Sequence, residues 1–486
     1  MDDPANLDFS RAEMERMGEI VLERCLAHLE SLPDQPSCGD VDAAALCRAI
    51  ERDAPEDGRA LEGLLARLFD DWIPRSFNTA GPGYLAYVPG GGIFPAALAD
   101  LISNTTNRFV GVWQAAPALA TLEARVLDWI RDWMGFPETT RGLLLSGSSL
   151  CSLSALVTAR EWLLGADIRS GVLYGSEELH HSVRKAARIA GIQDDRIRLV
   201  PVDAQYRMRV DALRAAVAED RKRGLRPFVV VSSAGTINTG SIDPLAAIGE
   251  VCREFELWHH VDGAYGGFFH LVPELRPRFA GLEHADSIAL DPHKGLFLPY
   301  GTGAVLVRDG HKLHAAHAAT ASYLPNSCED DTEDVYDISM YGPELSRPFR
   351  GLRVWLAVQL FGVRKIRAAI AEKRELAVWA HDQLSKVPSL RIVAPPELSL
   401  FAFHVTKPGA SLETENEATR RLVANVTRRG KVMLSSCISR GRVFARICVI
   451  SFRTRRDRIE LAVEHIREEA GNKVSESFFP PSASHD

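Results

Sequence analysis

Residues 257–267 read LWHHVDGAYGG and residues 286–295 read DSIALDPHKG, and these two stretches decide the fold. Each is a short apolar run that leads into charged residues and glycine. Asp262 closes the first run, and Lys294 comes 32 residues later, after the second run, which is about one strand–helix–strand step. Because parallel strands end at the same edge of a sheet, we expect both side chains at that edge, where ligands bind.

The alternation of apolar runs and helical stretches continues on both sides of this region. The further apolar runs read GLLLSG, GVLYGS, FVVVSSAG and GAVLVR, and the helical stretches between the runs lie at 151–164, 182–190, 209–223 and 244–256. This pattern predicts an α/β fold with a mainly parallel central sheet and helices on both of its faces.

The chain divides into four predicted parts. Residues 1–85 form a helical segment that cannot bury much surface alone, so we expect it to pack on a second subunit. Residues 86–365 form a large α/β domain, and residues 366–472 form a small α+β domain. Residues 473–486 carry few packing signals and are expected to be disordered.

The composition narrows the class of protein. The 486 residues carry a formal charge of −7, which argues against partners such as nucleic acid or a membrane surface. No apolar run reaches the roughly 18 residues that span a bilayer, and the acidic N-terminus lacks the pattern of a signal peptide. The eight cysteines include no CxxC pair, so we expect neither a zinc ribbon nor a disulfide scaffold. The expected location is cytoplasmic.

Lysine is scarce, since ten residues are lysine and none precedes Lys185. Lys294 stands out because it follows a strand, comes directly after His293 and precedes a glycine. A lysine in this place is either an ordinary loop residue or an amine that forms a Schiff base. Asp262 likewise either caps the next turn or holds a cation.

Two further strand exits carry polar residues. Residues 146–152 read SGSSLCS, a turn of small residues whose N–H groups and hydroxyls either bind an anion or simply cap a helix. His180 and His181 follow another strand. A metal site there is disfavoured because no further ligand lies at a suitable spacing, and an imidazole that stacks on a flat ring fits better.

An amine, a carboxylate, an anion turn and a flat imidazole at neighbouring strand ends suit one cofactor, pyridoxal 5′-phosphate (PLP). Its aldehyde suits a lysine, its pyridine nitrogen a carboxylate, its phosphate the serine turn and its ring face a histidine. No metal is expected. The combination is far more specific than any one of its members.

With these motifs the chain resembles the group II PLP-dependent amino-acid decarboxylases, the family of aromatic-L-amino-acid, histidine and glutamate decarboxylases. The resemblance implies the fold type I architecture of aspartate aminotransferase and a homodimer with its sites at the subunit interface. It also implies removal of the α-carboxylate of an L-amino acid to give an amine. The motifs that carry it, within residues 75–465, are GPGYLAYVPGGG, QAAPALATLE, SGSSLCSLSAL, HHSVRKAA, SSAGTINTGSID, WHHVDGAYGG, ADSIALDPHKG and RPFRGLRVWLAV.

The resemblance gives residues of this chain their expected roles. Lys294 matches the lysine that forms the aldimine, and Asp262 matches the partner of the pyridinium nitrogen that sustains the quinonoid intermediate. His180 is expected on one face of the ring and Ala264 on the other. The remaining expected cofactor residues are Gly147, Ser148 and Ser149 at the phosphate, Thr236 near the 3′-oxygen, and Asp291 and His293 beside the lysine. His180 and His293 are also expected to take part in catalysis. Asp291 stands where several members have Asn.

The proton that replaces the carboxylate needs a positioned acid. In the family a tyrosine on a mobile loop supplies it, and residues 324–342 match that loop in position. Tyr336 is the predicted acid, with Tyr341 and Tyr323 as alternatives, although each could simply pack.

The substrate pocket is expected to contain Tyr87, Phe109 and Trp113, with ordinary core packing as the alternative. Gly111 stands at a position that is aromatic in the aromatic-acid enzymes, which predicts a different or larger pocket.

Other functions compete with decarboxylation. Decarboxylation-dependent oxidative deamination to an aldehyde is disfavoured because His180 and a loop tyrosine are both present. A catalytically silent homologue that acts as a binding subunit is disfavoured because Lys294 and Asp262 are both retained. A Rossmann-type dinucleotide protein lacks its glycine fingerprint here.

Overall fold

The computed structural model describes residues 5–39, 44–319 and 336–471. Tyr323 and the predicted tail 473–486 lie outside the described residues.

Some of the helices begin or end at residues that favour helix termini. The helix at 117–134, for example, begins at Pro117, and Gly135 follows it with a φ of 72°, a left-handed conformation that glycine adopts without steric cost. The α-helices of the described residues are α1 (Arg11–Ser31), α2 (Ala44–Ala49), α3 (Leu61–Ala66), α4 (Phe94–Thr106), α5 (Pro117–Met134), α6 (Ser148–Leu163), α7 (His181–Ile189), α8 (Val210–Lys222), α9 (Leu245–Glu254), α10 (Pro292–Gly295), α11 (Gly310–His317), α12 (Gly351–Leu384), α13 (Leu412–Arg428) and α14 (Arg456–Gly471).

The large sheet is mainly parallel. Its strands are β1 (Arg141–Leu145), β2 (Gly171–Ser176), β3 (Ile197–Val200), β4 (Arg226–Ser233), β5 (Trp258–Gly263), β6 (Ser287–Leu290) and β7 (Gly303–Val307), in the spatial order β1-β7-β6-β5-β4-β2-β3. Only β7 runs antiparallel to its neighbours. Strands such as β2 and β6 are buried along their whole length because helices cover both faces. The predicted α/β fold is confirmed.

A second, antiparallel sheet follows α12. Its strands are β8 (Leu390–Ile392), β9 (Leu400–Val405), β10 (Ser435–Ser439) and β11 (Arg442–Cys448), in the order β10-β11-β9-β8. Phe401 and Phe403 point from β9 into an apolar core shared with α12, α13 and α14. The predicted boundary at residue 365 falls inside α12, which packs on both sheets, so the domain division stays a prediction. Among the described residues, no helix has the length and apolar character needed to cross a membrane.

The free edge of β1 is covered by side chains. The Tyr336 hydroxyl donates to the carbonyl of Gly142 and accepts the amide N–H of the same residue at 3.2 Å. Further along, the carbonyl of Leu144 accepts hydrogen bonds from Arg347 at 2.6 Å and from Arg350 at 3.3 Å. These side chains supply the bonds that a further strand would make at an outer edge.

A buried ion pair fixes the same edge. Arg347 lies 2.5 Å from Glu123 of α5, and neither side chain is exposed. The second oxygen of Glu123 accepts the N–H of Gly351, the first residue of α12, at 2.9 Å. The pair therefore ties α5 and α12 to the end of β1, directly before the serine turn.

Candidate active site

The carboxyl ends of β1, β2, β4, β5 and β6 open onto one cavity of about 350 Å³. Most of the predicted cofactor residues meet on its wall, as expected for a parallel sheet. They are Gly147, Ser148, Ser149, His180, Asp262, Ala264, Asp291, His293 and Lys294. Their places agree with the sequence argument, and their chemical roles stay predictions.

Lys294 is paired with a carboxylate. Its Nζ donates to Oδ2 of Asp291 at 2.6 Å, and the lysine side chain is 21% exposed while the aspartate is 3% exposed. Burial raises the pKa of Asp291, but the charges of Lys294 and His293 and the hydrogen bonds from Lys294 and Ser148 outweigh it. The pKa of Asp291 is therefore lowered, and the pair is ionic.

Asp262 and His180 influence each other across the cavity. Burial raises the pKa of Asp262. The charge of His180, the N–H of Ala264 at 3.1 Å and the charge of Lys294 lower this pKa, but by less than burial raises it. Burial also lowers the pKa of His180, against the attraction of Asp262. A cationic N–H donor beside Asp262 would restore the ionised carboxylate. A neutral imidazole at His180 suits stacking on a ring.

The serine turn has the character of an anion site. Helix α6 begins at Ser148, whose amide N–H donates to Oδ1 of Asp291 at 2.7 Å. The Ser148 hydroxyl is buried and has no hydrogen-bond partner among the described residues. A Cβ on Gly303 would lie 2.5 Å from the backbone of Gly147, so β7 approaches the turn this closely only with glycine. An unpaired hydroxyl at a helix N-terminus fits a phosphate.

The two histidines of the wall are held by hydrogen bonds at Nδ1. His180 precedes α7, and its Nδ1 lies 2.6 Å from the Ser182 hydroxyl. Nδ1 of His293 lies 2.7 Å from the carbonyl of Thr302, which requires a proton on that nitrogen. Both rings are thus oriented by the protein.

Thr236 lies behind the wall. Its neighbours Gly235 and Ile237 line the cavity, whereas its own hydroxyl lies 2.8 Å from the hydroxyl of Thr239 and accepts the N–H of Ser241 at 3.2 Å. These bonds shape the loop, and the predicted contact of Thr236 with the cofactor stays a prediction.

Tyr336 lies away from this cavity. Its hydroxyl is bonded to Gly142, and its ring stacks on Tyr341 with the ring centroids 4.6 Å apart. Burial raises the pKa of Tyr336 well above the usual value of a phenol. Its role as an acid stays a prediction. In that role Tyr336 would have to move into this cavity or act in the cavity of a second subunit.

None of the three predicted substrate residues lies on the cavity wall of this chain. Trp113 donates to the Thr121 hydroxyl at 3.2 Å and packs on the large core, which is the packing alternative. Phe109 is 40% exposed. Tyr87 adjoins the wall residue Val88 and has a φ of 51°, a strained conformation of the kind found at functional sites.

Close contact with another segment explains the glycine at position 111, and the sequence did not reveal this contact. A Cβ at this position would lie 2.3 Å from the carbonyl oxygen of Leu345, and the Gly111 carbonyl accepts the N–H of Ser339 at 3.0 Å. The backbone of the following segment fills the space beside Gly111. The glycine therefore permits this contact and does not by itself enlarge the pocket.

Glu178 is a wall residue that sequence reasoning missed. It is buried, and its two oxygens accept hydrogen bonds from Asn238 and from Ser439 of β10, both at 2.8 Å. It therefore links the two sheets beside His180. The signal was available, because Glu178 follows the apolar run GVLYGS.

Asp243 and Tyr300 also line the cavity and were missed. Asp243 accepts the amide N–H groups of Met208 at 2.6 Å and Ser233 at 2.8 Å, and burial raises its pKa to about 6. Tyr300 is half exposed, with its ring centroid 5.6 Å from that of His293. Asp243 follows a loop and not a strand, so its place at the cavity was not predictable from the ends of the apolar runs.

The residues of this cavity fit PLP. The unpaired Ser148 hydroxyl and the N-terminus of α6 suit its phosphate, and the Lys294 amine suits its aldehyde. Asp262 accepts one hydrogen bond among the described contacts, which leaves lone pairs for the ring N–H.

Comparison with known proteins agrees with this fit. The chain matches the family described as "Pyridoxal-dependent decarboxylase conserved domain" over residues 45–406. Aromatic-L-amino-acid decarboxylase of Bacillus atrophaeus is 33% identical over 450 residues, which cover 92% of this chain and 94% of that protein. Phenylacetaldehyde synthase of Petunia hybrida is 28% identical, with 94% of each chain covered.

A solved structure has the same fold over nearly the whole chain. The crystal structure of Oryza sativa TDC with PLP and tryptamine superposes with a TM-score of 0.91 at 26% identity and covers 97% of this chain and 99% of that one.

Proposed function

The chain belongs to the family of pyridoxal-dependent decarboxylases, and we propose that it removes the α-carboxylate of an aromatic L-amino acid to give the amine. The predicted family, the PLP cofactor and the decarboxylase reaction are confirmed. The aromatic side chain of the substrate is the proposed part. The observation that carries it is the 33% identity, over nearly the full length, to an aromatic-L-amino-acid decarboxylase.

The charge of the cavity disfavours a substrate with an acidic side chain. Within the described part of the chain, no arginine lies on the wall, whereas Glu178, Asp243, Asp262 and Asp291 do. An acidic side chain would meet this negative charge without an arginine to bind it, since Lys294 is already paired with Asp291, and this is unfavourable in a site of low dielectric constant.

Each of four wall residues has its own proposed role in the reaction. Bound PLP supplies an aldehyde that condenses with amino groups and a pyridine ring that takes up the electron pair of the Cα–carboxylate bond. Lys294 would offer its Nζ to the aldehyde. Asp262 would accept the ring N–H and hold its proton. His180 would cover one ring face and exclude water from it, while the small side chain of Ala264 would leave room on the other.

The serine turn would hold the phosphate end. Ser148 offers a buried hydroxyl and the exposed Ser149 offers a further one, both at the N-terminus of α6. His293, oriented by Thr302, stands beside Lys294.

The proton for Cα is proposed to come from a tyrosine. Tyr336 is the sequence-based candidate, and it can act only after its hydroxyl leaves Gly142. Tyr300 already lies on the wall and is half exposed. A product assay distinguishes these two phenols, and Tyr341 and Tyr323 stay the alternatives if neither of them is the acid.

An amino-acid panel tests the proposed function. Purified holoenzyme is incubated with aromatic, cationic and acidic L-amino acids, and carbon dioxide, amine, aldehyde and peroxide are measured by mass spectrometry and coupled assay. We expect equal amounts of carbon dioxide and amine from aromatic substrates, and none from glutamate. The Phe variants of Tyr336 and Tyr300 serve as a matched pair, and the variant that lacks the acid should shift product from amine to aldehyde.

Aldehyde and peroxide from the wild type would instead establish oxidative deamination, the second candidate. That candidate is favoured by the match to phenylacetaldehyde synthase of Petunia hybrida over 94% of the chain. Turnover of glutamate and not of aromatic amino acids would contradict the proposed substrate class.

A homodimer is proposed from the N-terminal helix. Helix α1 buries no residue within the chain, and Met14, Leu22 and Leu26 are 56%, 46% and 38% exposed. An apolar face of this kind is typical of a subunit interface. Sedimentation equilibrium should give twice the 53.5 kDa of the chain, and an active monomer would contradict the proposal.

A cytoplasmic location is proposed as well. It is supported by the seven cysteines in the described ranges, which are all free thiols. Fractionation of the source cells tests it, and activity in a secreted fraction would contradict it.

A further inference from the structure

Asp291 uses both of its oxygens on groups that bind PLP. Oδ1 accepts the amide N–H of Ser148 at 2.7 Å, and this amide is at the N-terminus of α6. Oδ2 accepts from Nζ of Lys294 at 2.6 Å. The side chain is 3% exposed. A carboxylate thus stands at the positive end of a helix and beside the amine, where an anion and an aldehyde are expected.

The groups around Asp291 keep its carboxylate charged. Burial raises its pKa, but Lys294, His293 and the hydrogen bonds from Lys294 and Ser148 lower it further than burial raises it. Asp291 is therefore ionised throughout the neutral range. The Ser148 hydroxyl beside it has no partner among the described residues, so the turn is only partly satisfied by this internal anion.

We propose that Asp291 is an internal competitor of the PLP phosphate, and that its contacts with the serine turn and with Lys294 lower the affinity of the protein for PLP. The inference rests on the PLP site described above. It makes Asp291 a positioning residue that acts through Ser148 and Lys294.

Two effects determine whether the substitution Asp291→Asn strengthens or weakens PLP binding. Binding of PLP brings a phosphate close to the Asp291 charge, and the repulsion between them is strong in a buried site. Binding also engages the Lys294 amine, so the ion pair with Asp291 is lost. The amide of Asn removes both costs while it keeps the shape of the side chain. Removal of this wall residue's charge should therefore tighten PLP binding.

The test is a titration of the apoprotein with PLP, in which binding is measured by the quenching of tryptophan fluorescence. We expect Asp291→Asn to lower the dissociation constant of PLP roughly tenfold, which corresponds to one modest charge interaction. Asp291→Ala should change it in the same direction and serves as the second variant should Asn disturb the fold. Inorganic phosphate cannot react with Lys294 but should compete with PLP for the serine turn. We expect it to inhibit PLP binding to the Asn variant at roughly tenfold lower concentration than it does in the wild type.

The control is Asp211→Asn. Asp211 lies on α8, away from the cavity wall, and pairs with Arg209 at the surface. Its substitution also removes one negative charge and should leave PLP affinity within roughly twofold. Unchanged or weaker PLP binding in both Asp291 variants, or equal tightening in Asp211→Asn, would overturn the proposal. Absence of PLP binding by the wild type would instead refute the cofactor site.

Discussion

Lys294→Ala should abolish decarboxylation, with a loss of about 10⁴-fold or more, as expected when a covalent catalyst is removed. Among the described residues Lys294 is the one lysine on the cavity wall, so no second amine can replace it. The measurement is carbon dioxide release from the best substrate of the panel at saturating PLP.

Two variants separate the chemistry of Lys294 from its ion pair. Lys294→Arg keeps a positive charge beside Asp291, so it should fold like the wild type and remain inactive. Lys222→Ala removes an exposed lysine at the end of α8 and should leave activity unchanged. Substantial activity in Lys294→Arg would show that the lysine serves only as a counter-ion.

Asp262→Asn should lower kcat by about 10³-fold, because the carboxylate that holds the proton on the ring nitrogen is lost. Burial raises the pKa of Asp262, which shows that the site disfavours a lone charge. The carboxylate is ionised when a cation faces it, and that pairing in turn keeps the ring charged. The measurement is kcat at saturating PLP and substrate.

A cofactor analogue tests the reason for this loss. N-methylpyridoxal 5′-phosphate carries a fixed positive charge on the ring nitrogen, so the Asn variant reconstituted with it should regain much of the lost rate. Lack of recovery, in a variant that binds the analogue and keeps its thermal stability, would show that Asp262 acts by shaping the site and not by holding a proton.

The places of four wall residues with distinct expected roles were predictable from the sequence. Alternating apolar runs predict parallel strands, and parallel strands bring their carboxyl ends together. This rule places Asp262, Lys294, His180 and Ser148 at one edge of the sheet, and all four line the same cavity. Their spacing along the chain carries the information, because each closely follows a buried strand.

Contacts between distant segments were not predictable in this way. The bond between Tyr336 and the edge of β1 joins residues 194 positions apart, and no local pattern indicates it. The carbonyl of Leu345 beside Gly111 is a contact of the same kind, and without it the glycine indicates extra pocket space. The ion pair of Asp291 with Lys294 lies within one short turn, yet it depends on side-chain rotamers that a motif does not specify.

The identity of the lysine that carries PLP is the central claim, and reductive labelling tests it most directly. The holoenzyme is treated with borohydride, which fixes PLP to its lysine, then digested and examined by mass spectrometry. We predict one pyridoxyl phosphate per chain on the peptide that contains Lys294. A label on any other lysine, or no label in protein that decarboxylates its substrate, would contradict the account.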